Sequence, residues 1–502
     1  MSDQLGAVLS KDSDRVDTAV AALVGAHRAR GLPVMERLWS YFRNPLKLVG
    51  RSGSTVGGDS QVGWYRMAQE VGLPRRVKGT RVDGVGPERQ RREVVIENDI
   101  GWRIAAMVDF MFGEPVRIGS LAPDDRKREV IEGVLERVWE RSGGIALMQD
   151  LATLGHVFGH VDLIVRVDEA KLAGSSVEDA HEAVSIELVE ARRGIPVLDD
   201  SDYREIGAYV VHVDRGSGGS GGEERESVSR SALARLTGRG RKDAGVSIKG
   251  STELITRDGS VVYEDGVRVG RSERVYLRGV VPVVHIQNVS QPFVYSGLGE
   301  VEALIPLQDE LNTRLSDRAN RVTLQSFKMY LARGIEGFDG SAVGPGTVWS
   351  TDNPDASIVG FGGDAASPSE DRHIEEIREA MDKVSGVPPL AGGVVKAKLG
   401  NLSSANALRV TLMGLIARTK RKRVTYGRGL EQASALVLRV LDDAGVLRTK
   451  ESERGVRVRF GALGPIGEFE ALERAQQQLE IGADEEAVLD ALGLDDEDPG
   501  VV

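Results

Sequence analysis

The chain has 502 residues, with 65 Lys and Arg against 76 Asp and Glu, a formal net charge of −11 at pH 7, and no cysteine. Lack of cysteine excludes disulfides, zinc–thiolate centres and thiol nucleophiles. A net-acidic chain does not grip duplex DNA over a broad surface, because phosphate neutralisation dominates such binding. At 41% hydrophobic and 5% aromatic residues, the core must be largely aliphatic, and the length suits about two to four domains.

The opening residues, MSDQLGAVLSKDSDR, lack the basic start and apolar run of a signal peptide. Residues 16–30 are Ala/Val-rich and predict a helix. Pro33 opens a second, whose apolar face comes from Trp39, Tyr41 and Phe42. A loop is predicted at 51–63, then helices at 97–112, 125–140 (with Val130, Val134 and Val138 at four-residue spacing) and about 144–158. The segment 100–116 is the most apolar, but it carries Arg103, Asp109 and Glu114 and is too short to span a bilayer. No membrane association is expected.

The hydrophobic period then changes to alternation, predicting strands at 161–168, 184–190, 208–214, 251–257 and 282–288. A Gly/Ser-rich, charged stretch at 216–230 interrupts them. The first 290 residues therefore read as one α+β domain. Beyond it, Val301, Leu304, Leu311, Leu315, Ala319 and Val322 mark a helix over 297–327, about 45 Å long. A β-like insert follows at 328–367, containing MYLARG, GTVWS and SIVGF. A helix at 370–385 ends before Pro388-Pro389, and the loop LAGGVVKAKLGNL leads into a very long helix at 403–444. Its apolar stripe lapses at RTKRKR and at Gly427-Arg428-Gly429, where a bend is expected. A strand at 455–461, helices at 467–480 and 484–491, and an acidic end close the chain.

This order of elements resembles the portal proteins of long-tailed bacteriophages. Asn98 through Ile118, NDIGWRIAAMVDFMFGEPVRI, is similar to a family segment in which Asn precedes an apolar helix and Gly-x-Pro-Val. The strand and helix between Pro282 and Asn320 are similar to its wing strand and first stem helix. The resemblance implies an α+β portal fold comprising an α+β wing, a helical stem, a small α/β clip, a long bent wing helix and a short helical crown. By position, 1–296 is the N-terminal wing, 297–327 the first stem helix, 328–369 the clip and 370–386 the second stem helix. Residues 387–402 are the tunnel loop, 403–461 the long wing helix and wing strand, and 462–502 the short crown with an acidic tail. It further implies a ring-shaped homo-oligomer of about twelve subunits at the portal vertex of the virion, assembled in the host cytoplasm. The implied partners are double-stranded DNA in the channel, bound without sequence preference, the terminase large subunit, a head-completion or adaptor protein, and the major capsid or scaffold protein. No cofactor, metal or catalytic residue is implied.

Within the implied tunnel loop, Gly392 and Gly393 permit unusual backbone conformations. Lys396 and Lys398, two apart and on one side of an extended segment, with Asn401 beyond them, suit brief contacts to phosphates. Arg418, Lys420, Arg421, Lys422 and Arg423 form the densest basic cluster. Successive helical residues are about 100° apart, so these five charges spread around the helix instead of forming one groove-binding face. They are read as intersubunit pairing groups, some of them facing DNA. His156 and His160 have a zinc-chelating spacing, but HVFGH lacks the glutamate of a metallohydrolase helix, and Asp162 is a poor third ligand on a following strand. Structural histidines are the favoured reading; a metal-dependent hydrolase is the alternative, as is another ring-forming head–tail protein. No phosphate-binding G-x-x-x-x-G-K-[ST] occurs. The acidic run Asp495–Asp498 reads as a solvated tail.

Overall fold

The computed structural model describes residues 13–49, 64–78, 93–199, 205–214, 249–326, 329–333, 353–361, 368–392 and 405–461, with 202, 463, 475–477 and 479. The principal helices are α1 (Ser13–Ala26), α2 (Leu32–Arg43), α3 (Asp99–Phe112), α4 (Asp125–Arg141), α5 (Gly144–Phe158), α6 (Val301–Ser326), α7 (Pro368–Ser385) and α8 (Ala405–Asp443). The strands are β1 (Leu46–Val49), β2 (Trp64–Met67), β3 (Arg117–Ser120), β4 (His160–Val167), β5 (Val184–Val189), β6 (Gly194–Leu198), β7 (Ile206–Val213), β8 (Ser251–Ile255), β9 (Gly259–Glu264), β10 (Val267–Glu273), β11 (Val283–Gln287), β12 (Met329–Arg333), β13 (Ser357–Phe361) and β14 (Val456–Arg459). Packing divides them into two units: residues 1–45, 100–303 and 385–502, and residues 46–99 with 304–384.

The first unit is built around a five-stranded antiparallel sheet, β10-β9-β8-β7-β6, and a three-stranded sheet, β11-β4-β5. Alternation along β7 and β8 gives the larger sheet two apolar faces. Val210 and Leu254 face α1, whose Val16, Val20 and Val24 recur every four residues and are at most 2% exposed. Tyr209 and Ile255 face Ile164 of β4 and Val189 of β5. Helix α1 runs on into α2 through a π-helical turn, His27–Gly31, in which the Leu32 N–H donates to His27 O. The sequence reading separated two helices here. A widened turn lets the chain absorb Pro33, which has no N–H, without a break.

Helix α4 starts at Asp124, whose carboxylate accepts from the Lys127 N–H at 2.8 Å, a cap of the usual kind. Its buried face is Ile131, Val134, Leu135, Val138 and Trp139, while Val130 is 42% exposed. A strict four-residue spacing therefore drifts off the core by one position. Helix α5 ends at Gly159 in the left-handed region, at φ 87°, as a glycine C-cap should.

Helix α8 is assigned over 39 residues without interruption. Gly427 and Gly429, expected to mark a bend, lie where other elements come close. A Cβ on Gly427 would sit 3.4 Å from the Phe460 ring, and one on Gly429 only 2.3 Å from Ile286 of β11. The glycines let the helix lie against β11 and Phe460. Gly429→Ala is expected to destabilise the fold by about 1–3 kcal/mol through overpacking, despite alanine's better helix propensity. Adding Ile286→Ala should reduce that penalty, as read from urea midpoints.

In the second unit, residues 93–97 are zipped onto α6. The backbone N–H groups of Glu93, Val95 and Glu97 donate to Asn320 Oδ1, Ser316 Oγ and Asn312 Oδ1 at 2.9–3.0 Å. Four residues of helix advance about 6.0 Å and two of extended chain about 6.6 Å, so the two spacings stay in step. Asn320 Nδ2 and Ser316 Oγ donate back to Glu93 O and Val95 O. Helices α6 and α7 are joined by Arg318–Asp371 at 3.1 Å and by Arg321–Glu370. Arg378 of α7 reaches Glu97 at 2.6 Å. Residues 46–99 pack with 304–384, and these side-chain-to-backbone bonds hold 93–97 in place. Strands β12 and β13 pair antiparallel; GTVWS lies outside the described residues, as do the helix at 484–491, most of that at 467–480 and the acidic run.

Candidate functional site

Residues 385–392, where the implied tunnel loop begins, belong to the first unit, and three side chains contact them. Arg103 of α3 is 1% exposed. Its Nη1 donates to Val387 O at 2.7 Å and Ser385 Oγ at 3.2 Å, and its guanidinium lies 4.5 Å from the Trp102 ring centroid. Trp102 in turn touches one side of Gly392, where a Cβ would stand 2.8 Å from the indole. Arg418 of α8 donates to Ser385 O at 2.8 Å, and Gly386, at φ 70°, leaves room for it. The chain is thus clamped up to the short 3-10 turn Pro389–Gly392. Gly393, Lys396, Lys398 and Asn401 lie outside the described residues.

The basic cluster is divided by its helix. Lys422 is 3% exposed and its Nζ stands 2.5 Å from Glu300 Oε1. Burial pushes the Lys422 ammonium below its ordinary pKa, while the Glu300 carboxylate holds it up. Arg418 lies 3.5 Å from Glu300 Oε2. Arg423 donates to Gly461 O at 2.7 Å and Phe110 O at 3.1 Å and sits over the Phe460 ring. Burial brings its guanidinium down to about 10, against the pull of Glu114. Three of the five cations therefore serve their own subunit, and Lys420 and Arg421 face outward. Glu300 immediately precedes α6 and its N–H donates to His156 O at 2.7 Å, so the buried pair joins α8 to the start of α6.

The two histidines are engaged separately. His156, on α5, has Nδ1 2.5 Å from Ala152 O. His160 opens β4 and packs against the rings of His285 and Tyr295. Asp162, two residues on, is 1% exposed and is met by Tyr209 Oη at 2.6 Å, Tyr295 Oη at 2.8 Å and His285 Nδ1 at 2.7 Å. Burial raises its carboxyl, but His285, His160 and Tyr209 together hold it below the usual range. This network joins β4, β7, β11 and the segment leading into α6. Sequence reasoning missed it, since its members are up to 133 residues apart. Among the described residues, no group of three or more His, Asp or Glu side chains is placed to hold a metal. No described helix is long and apolar enough to cross a membrane.

The fold mixes helix and sheet, and its buried charges Arg103, Lys422 and Arg423 hold segments of the chain against one another. Residues 103–497 match the family model described as phage portal protein, SPP1 Gp6-like, and the chain belongs to that family of phage portal proteins, as its order of elements implied. Two solved structures are similar at low identity. One is titled the virion of a native gene transfer agent (GTA) particle, at 15% identity and TM-score 0.42, covering 78% of this chain and 88% of that one. The other is titled the neck of an empty GTA particle computed with C6 symmetry, at 14% and 0.43, covering 78% and 89%. No curated protein matches the sequence.

Proposed function

We propose that about twelve copies of this chain close into a ring by point-group symmetry at one capsid vertex, through which double-stranded DNA is packaged and ejected. The ring is a conduit and not an enzyme, assembled in the host cytoplasm and retained in the virion. In this reading, α6 and α7 form the stem, β12 and β13 belong to the clip, and residues 387–402 are the tunnel loop. The first unit with α8 makes up most of the wing, residues 462–502 form the crown, the terminase large subunit and then a head-completion or adaptor protein dock at the clip, and the major capsid or scaffold protein meets the wing.

The observation that carries the reading is the clamp of Arg103, Trp102 and Arg418 on residues 385–392. It gives a lysine-bearing loop a rigid point of departure, so that Lys396 and Lys398 can touch passing phosphates without holding them. A net charge of −11 fits a channel that does not hold phosphate tightly. Negative-stain electron microscopy of the purified protein, with terminase or scaffold added, tests the assembly. Rings of about twelvefold symmetry with a central hole are expected; monomers or compact dimers under every condition contradict it. In the Lys396→Ala/Lys398→Ala variant, rings should form normally while the DNA retained per particle falls. Unchanged retention would remove the loop from the mechanism.

A further inference from the structure

One face of α8 is turned away from its own subunit. Val410, Met413, Ala417, Arg421, Val424 and Arg428 recur at three or four residues and are all exposed, forming a stripe about 27 Å long. Val410, Met413 and Val424 are 69%, 62% and 57% exposed, so their apolar surface is left in water by the lone subunit. Gly414 and Ala417 keep the stripe shallow, and Lys420 adds a third cation beside Arg421 and Arg428. No exposed acid lies on it between 410 and 428.

Helix α4 of the same unit presents the opposite pattern. Asp125, Glu129, Glu136 and Glu140, spaced four, seven and four, are exposed along one edge, and beside them lie the 42% exposed Val130 and Gly133. Arg126 and Arg141 lie on the far edge of that face. A duplex would satisfy the cations of the α8 stripe but not its half-exposed apolar side chains. Two different, complementary faces on one chain are what a head-to-tail contact requires, and such contacts form a ring when the rotation between neighbours closes.

We infer that the exposed stripe of α8 docks on the acidic edge of α4 in a second copy of this chain, an inference that rests on the ring reading and gives that ring its subunit contact. Lys420 and Arg421 meet Glu136 and Glu140 across the contact, with Met413 and Val424 buried between them.

Charge reversal tests this by mass photometry and sedimentation. Lys420→Glu/Arg421→Glu and Glu136→Lys/Glu140→Lys should each raise the concentration for half-assembly by about tenfold or more. The chain carrying all four changes should return close to wild type. All four sites are exposed, so circular dichroism and urea midpoints of the subunits should not change. Because the chain has no cysteine, the thiol of a Met413→Cys variant reports the stripe directly, and its alkylation should slow sharply on assembly. Rings that survive either reversal overturn the inference, as does failure of the fourfold chain to recover or a thiol equally reactive in rings. Normal rings that merely retain less DNA would make the stripe a DNA surface and overturn it too. A wild-type chain that never forms rings would overturn the ring reading itself, which the survival of rings in the variants would not.

Discussion

Replacing Glu300 with alanine is expected to cost the subunit about 3–5 kcal/mol, because it strands the buried Lys422 ammonium. Lys422 is 3% exposed, and its other polar neighbour is Met107 Sδ at 3.7 Å, too weak an acceptor to replace a carboxylate. The variant should unfold at clearly lower urea. Lys422→Met should be milder. Glu300 would keep Arg418 at 3.5 Å, and methionine fills much of the volume that the lysine stem vacates. In Glu300→Gln/Lys422→Met no buried charge remains, so most of the loss should be recovered, since exchanging a whole buried pair for neutral groups is often nearly neutral. Equal losses in the single and double variants would mean that this contact is packing and not electrostatics.

The strands at 161–168, 184–190, 208–214, 251–257 and 282–288 were legible because alternation needs only local sequence, and each lies within a residue or two of an observed strand. Strands β6, β9 and β10 were not. Pro196, Gly259 and Gly270 interrupt their patterns, and β10 is an edge strand with Val267 65% exposed, so neither alternation nor composition marks it. Helix positions came through better than helix faces. That the cations of 418–423 would spread around the helix followed from its geometry. Which of them turn inward depended on Glu300, Phe110 and Gly461, distant in sequence. The same holds for Gly427 and Gly429, whose close neighbours Phe460 and Ile286 are distant in sequence. Asp162 was correctly placed on a strand, but its Tyr209, Tyr295 and His285 partners lie on other elements. The attachment of 46–99 to 304–384 rests on Asn312, Ser316 and Asn320, polar residues on a helix face with no local signature of a partner.

Acid should weaken the subunit well before its carboxylates titrate. His160 is 5% exposed and has an Nδ1 without a hydrogen-bond partner. Burial brings its imidazole down to about 4; Asp162 opposes the shift and His285 reinforces it. In the unfolded chain the ring titrates near its ordinary value of about 6.5. Between these two values the unfolded state binds more protons, so stability rises with pH there. The contribution is complete above about pH 6.5, is lost as pH falls toward about 4, and amounts to about 3 kcal/mol over that window. His156 shifts in the same direction through burial and then Lys422, adding to the slope. Asp162, held below its usual range, adds its own loss only below about pH 4. Urea midpoints measured from about pH 7 down to about pH 4.5 should therefore fall steadily. His160→Gln should remove a large part of the slope while leaving that of His156. A profile that stays flat down to about pH 5 would mean that His160 is protonated within the fold, with Asp162 as its counter-charge.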